Sequence, residues 1–187
     1  MSGKVKRERG GSVNITLAPG EAEVIRRAFG DLLELFDSHA AAAAPAQEIA
    51  PGLRDPFSSP GTDVLPDDPA LARLLPDAYP DDPAAAAEYR RFTENDLMAG
   101  KRANIAVLLS GLETVGPDGR LHLPAAQVPA WLVALNDLRL ALGTRLEIEE
   151  DYEAMIAALA PDDPRLPAYA LYEWLTWLQD SLVRTQR

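Results

Sequence analysis

The chain has 187 residues, 47% of them hydrophobic, no cysteine and a formal net charge of −11. That length and apolar content suit one domain with its own core. The missing cysteines exclude disulfides, thiolate nucleophiles, zinc–thiolate sites and thiol-based redox sensing by this chain.

Two histidines, His39 and His122, argue against a histidine-rich metal site. No apolar run approaches the roughly 18 residues that span a bilayer. The N-terminal MSGKVKRERGG has no apolar segment of the signal-peptide kind, so the expected compartment is the cytoplasm. Lys4, Lys6, Arg7 and Arg9 against Glu8 put the first ten residues at +3, which leaves −14 for the rest. Such a field repels a phosphate backbone. Direct nucleic-acid binding by the acidic body is therefore not expected, and the basic arm reads as solvated surface.

In chain order, Val13 to Leu17 alternates apolar and polar residues, and Arg9-Gly10-Gly11-Ser12 can turn the chain back toward Val5 and Arg7. A short N-terminal β-hairpin is expected over residues 1–18. Residues 19–38 follow as an amphipathic helix, with Val24, Ile25, Ala28, Leu32, Leu35 and Phe36 recurring at three and four, and Glu21 and Glu23 in the first turn. From 39 to 82 the chain turns rich in alanine and proline, which predicts a mobile excursion holding one short helix near Leu71, Leu74 and Leu75. The tetrapeptide Pro-Asp-Asp-Pro occurs at 66–69, 80–83 and 161–164. Each copy offers Asp as an N-cap and Pro at the first helical position, so each is read as a helix start, not as half of a metal site.

The second copy launches the longest expected helix, Ala84 to about Val115. Its stripe of Tyr89, Phe92, Ala99, Gly100, Ala103 and Val107 suits close packing and contains Asp96. Pro117-Asp118-Gly119 is a turn, and Arg120 to Leu123 an extended entry to the next helix. Trp131 to Ile148 is apolar on nearly every side, the mark of a helix in the middle of a domain. Gly143 there suits a close approach, and Arg139 needs a partner, for which Asp96 is the expected one. Glu147 to Glu153 is an acidic run without the oxygen spacing of a calcium loop. Arg165 to Arg187 closes the chain as a helix with Leu171, Leu175, Leu178 and Leu182 on one face, crowded by Tyr169, Tyr172, Trp174 and Trp177.

The fold class that follows is mainly α: a single-domain helical bundle, 1–187, around a central apolar helix, with residues 83–187 as its helical core. No nucleophile motif, phosphate-binding loop or dinucleotide fingerprint is present. Asp96, Asn136, Arg139 and Arg145 form a candidate polar cluster between the two central helices, able to bind an anion or to serve as a plain ion-pair network. Arg90, Arg91, Lys101, Arg102, Trp174 and Trp177 are candidates for an interaction surface. No catalytic residue, metal ligand or cofactor is assigned, and a homo-oligomer is compatible with this reading.

The segments EYRRFTENDLMAGKRANIAVLL from Glu88 and WLVALNDLRLALGTRLEI from Trp131, with the hairpin-helix before them and the tryptophan-rich helix after, resemble an actinobacterial domain-of-unknown-function family. Its members carry the label AosR-like oxidative-stress transcriptional regulators. The resemblance spans most of the chain outside 39–82 and is most specific over Leu135 to Leu146. It implies a cytoplasmic, non-catalytic regulator that acts through protein partners of the transcription machinery. With no thiols in this chain, sensing would belong to a partner or use other chemistry. The alternative is a helical domain that binds an anion or small molecule, or an enzyme, through the Arg/Asp/Asn cluster.

Overall fold

A computed structural model describes residues 3–42, 48–50, 53–54 and 65–186. Lys4–Arg7 (β1) and Val13–Thr16 (β2) pair antiparallel with Val5 opposite Ile15, and Gly10 and Gly11 make the turn at positive φ. Arg120–Leu123 (β5) adds to the other edge of β2, giving the order β1-β2-β5. Period-two alternation sends Val13, Ile15, Leu121 and Leu123 into the core, so this small sheet caps one side of the helices. Gly119 sits at φ 74, where a Cβ would lie 2.2 Å from the Leu17 carbonyl oxygen, so only glycine fits this corner.

Glu21–Ala42 (α1) runs four residues past the expected end at Ser38, because the alanines after His39 continue the helix. A further pair of short strands, Glu48–Ala50 (β3) and Leu53–Arg54 (β4), lies within the alanine- and proline-rich stretch. The mobility expected of residues 43–47, 51–52 and 55–64 falls outside the described residues. Residues 65–82, by contrast, belong to the body of the fold. Pro69–Leu74 (α2) buries Ala70, Leu71 and Leu74, followed by Leu75, because these four make one apolar face that docks on the central helix.

The first two Pro-Asp-Asp-Pro copies act as read. Asp68 accepts from the Ala70 and Leu71 amides, and Asp82 from the Ala85 amide, with Pro69 and Pro83 opening α2 and Pro83–Glu113 (α3). The third differs. Asp163 accepts from the amide and guanidinium of Arg165, and the last helix, Leu166–Thr185 (α6), starts after that turn with no side-chain cap. An arginine two residues on outcompetes the helix amides for the carboxylate, and its bonds hold Asp163 below the usual carboxylate range.

Val128–Arg145 (α4) is the central helix, packed by α2, α3 and α6, with Val128, Trp131, Ala134, Leu135, Leu138 and Ala141 buried. It is not covered all round, since Val133 stays 43% exposed. Gly143 lets Tyr172 of α6 come close: a Cβ there would stand 3.3 Å from the ring. On α3 the inward face is Ala86, Arg90, Glu94, Met98, Ile105, Leu108 and Leu112. The aromatic and small stripe expected to pack is instead largely outside, with Tyr89 48% and Phe92 62% exposed. Charged residues on the inward face find partners from distant segments, which overrides a ranking by side-chain type. Past α4 the acidic run is largely exposed and leads into Tyr152–Ala157 (α5). Six helices and two small sheets are present among the described residues, and no helix among them is long and apolar enough to cross a membrane.

Candidate functional site

Two charged constellations are built into α3, and both are largely buried. Near its start, Glu94 Oε1 lies 2.9 Å from His39 Nε2 of α1, while Arg90 pairs with Asp77 and places its Nε 3.9 Å from the second Glu94 oxygen. In mid-helix, Lys101 donates to Asp137 Oδ1 of α4 at 2.7 Å. The other Asp137 oxygen is buried and accepts no hydrogen bond from the described residues. Burial pushes the Asp137 carboxyl above its ordinary value, and the bond and charge of Lys101 only partly oppose that. These groups tie α1, α3 and α4 together.

The expected polar cluster is not assembled. Asp96 and Asn136 are exposed, and Arg145 pairs with Asp68 at the start of α2. Arg139 turns to α6, where Nε donates to Thr176 Oγ1 at 2.9 Å and Nη1 to Gln179 Oε1 at 2.6 Å. The expected Asp96–Arg139 pair is therefore replaced by Lys101–Asp137, because the face of α3 carrying Asp96 points to solvent. Among the residues proposed for an interaction surface, Arg90 and Trp174 are buried, Lys101 is held by Asp137, and Arg102 lies over Phe36 while pairing with Asp37. Arg91, stacked on Phe92, and Trp177, 37% exposed beside Gly3, remain at the surface.

Sequence reading assigned no specific partner to Glu94 or Asp137 and did not single out His39 or Asp77. One signal was available: stepping back by four from Met98 gives Glu94, Arg90 and Ala86, so the apolar row of α3 continues into charged residues on the same face. Among the described residues, no group of three or more His, Cys, Asp or Glu side chains could hold a metal ion.

An apolar groove of about 550 Å³ lies between α1, α4 and α6. Leu32 and Leu35 of α1, Leu138 and Leu142 of α4 and Leu171 of α6 supply its apolar surface. Asp31 and Glu34 stand on its α1 rim, exposed and with no cation in ion-pair range among the described residues. At the other end, Arg145 is occupied by Asp68.

The model of a family described as a domain of unknown function (DUF2017) matches residues 1–186. The putative oxidative stress regulator AosR of Mycobacterium leprae (strain TN) is 34% identical over 194 residues, covering 96% of this chain and 85% of its own length. The proteins named oxidative stress regulator AosR from Mycobacterium bovis and from Mycobacterium tuberculosis (strain ATCC 25618 / H37Rv) are each 32% identical over 195 residues, covering 96% of this chain and 84% of their own. No solved structure matches the chain.

Proposed function

The chain belongs to the DUF2017 family, and from that membership we propose that it is a non-catalytic regulator of the response to oxidative stress that acts by binding a protein of the transcription machinery. The names of its relatives support the regulatory part of this reading. The observation that carries the partner is the groove on α4. Its lining residues on α1 run from Ala28 to Ser38, which at roughly 1.5 Å per residue is a length of about 15 Å, or three helical turns. Leucines on three sides and exposed acids on one rim suit an amphipathic helix with an apolar row and basic flanks. The acidic body attracts the same kind of segment and repels a bare nucleic acid.

The test is capture from an actinobacterial lysate by the full chain and by a folded Leu35→Lys/Leu142→Lys variant. The wild type should enrich a transcription component, bound at least about tenfold more weakly by the variant, a difference of about 1.4 kcal/mol. Equal capture by both chains, or no transcription component with either, would count against the reading.

A further inference from the structure

Beside the groove, on the neighbouring face of α4, lies a polar cavity of about 480 Å³ whose lining includes Arg73, Arg139, Tyr172, Glu147, Ile148 and Glu149. Three features of its wall are unusual. Arg139 is half-buried, yet its partners among the described residues are neutral: the Thr176 hydroxyl, the Gln179 carbonyl and the ring of Tyr172, whose centroid is 5.4 Å from the guanidinium carbon. No carboxylate of the described residues lies in ion-pair range, and Nη2 donates to none of their atoms. Held on one side by three contacts, the guanidinium keeps both its charge and a pair of donors in reserve. Arg73, in the last turn of α2, is exposed, lines the same cavity and has no ion pair among the described residues.

The third feature is Glu147, the only non-glycine at positive φ among the described residues, at 52°. The chain doubles back past the end of α4 through Ile148 N to Gly143 O at 2.9 Å and Glu147 N to Thr144 O at 3.3 Å. Glycine is the ordinary occupant of such a position, and a side chain carried there on strained backbone, lining a cavity, points to a use for that side chain. Glu147 and Glu149 thereby give the cavity an acidic part beside the C-terminal end of α4, where the helix dipole favours a cation.

We infer that this cavity binds a small zwitterion of the α-amino acid class with a large apolar or aromatic side chain. The carboxylate goes to Arg139 and Arg73, matching the planar fork of a guanidinium, and the ammonium to Glu147 and Glu149. Tyr172 and Ile148 receive the side chain. The two glutamates and the helix end disfavour phosphate and other polyanions, although the arginines alone would attract them. The site does not depend on partner docking. It offers a chain without cysteine a chemistry for sensing other than thiol oxidation.

Calorimetric titration of the full chain with L-phenylalanine and L-leucine tests the inference, with hydrocinnamate, phenethylamine and inorganic phosphate as partial probes. The amino acids should bind, and each partial probe should bind at least tenfold more weakly. Arg139→Gln should abolish binding and Arg73→Ala weaken it at least tenfold. Glu147→Gly is diagnostic: it should raise the melting temperature by relieving the backbone while weakening the ligand at least tenfold. Absence of binding at millimolar amino acid, phosphate or hydrocinnamate binding as tightly as phenylalanine, or unchanged affinity in both Arg73→Ala and Glu147→Gly would overturn the assignment.

Discussion

Lys101 is the single lysine beyond residue 6, and its ammonium is spent inside the protein on Asp137. Removing one member of a buried pair leaves the other charge without compensation. Lys101→Met should therefore cost about 2–3 kcal/mol, somewhat below the usual range because Lys101 keeps a little solvent contact. Lys101→Met/Asp137→Leu, which removes both charges, should return to within about 1 kcal/mol of the parent, and urea unfolding of the three proteins measures the difference. The pair also has a pH signature. Burial raises the Asp137 carboxyl above its ordinary value of 3.8, so between 3.8 and the raised value the folded chain holds more protons than the unfolded one. Stability falls as pH rises through that window. The stability of the parent relative to Asp137→Asn should decline over the same window, and a difference that grows with pH would contradict the raised carboxyl. Sequence alone marked a charge on the central helix as needing a partner. It selected Asp96 for Arg139 because Asp96 lies in the stripe of α3 expected to pack inward, whereas the actual pairing depends on which way α3 is rotated.

At the scale of elements, α3 carries two glycines with opposite roles. Gly111 is buried, and a Cβ there would stand 2.9 Å from Cζ2 of the fully buried Trp131 ring. Gly111→Ala should cost about 1–3 kcal/mol, since the ring has no space to retreat into. Gly100 is exposed and meets nothing within 4 Å, so Gly100→Ala should add about 0.5–1 kcal/mol through helix propensity alone. Thermal unfolding of the two variants should show shifts of opposite sign; the same sign for both would mean that the packing of α3 on α4 is misassigned. Elements were otherwise legible where their signals are local. The hairpin came from alternation around Gly10-Gly11, and the starts of α2 and α3 from Asp followed by Pro. The third such signal failed because Arg165, two residues past Asp163, took the carboxylate. That competition is also local, but it needs a side-chain geometry that a residue pattern does not state.

For the whole molecule, the absence of cysteine makes a direct prediction. Diamide, which acts by coupling thiols, should leave both the melting temperature and the partner capture of the treated chain unchanged. A change in either after treating this chain alone would place redox sensitivity in it after all. The sequence by itself determined the helical class, the apolar central helix, the hairpin, two of three capped helix starts, the sign of the surface field and the resemblance to a regulator family. These rest on periodicity, turn chemistry and composition, which act over a few residues or over the chain as a sum. Only the tertiary structure decided that α3 turns its charged row inward and its aromatics outward, that α2 belongs to the core, that Arg139 meets neutral partners, and that a groove runs between α1, α4 and α6. Each of these depends on the relative rotation of helices far apart in the chain. That rotation is set by the packing of all of them together, with no local pattern to announce it.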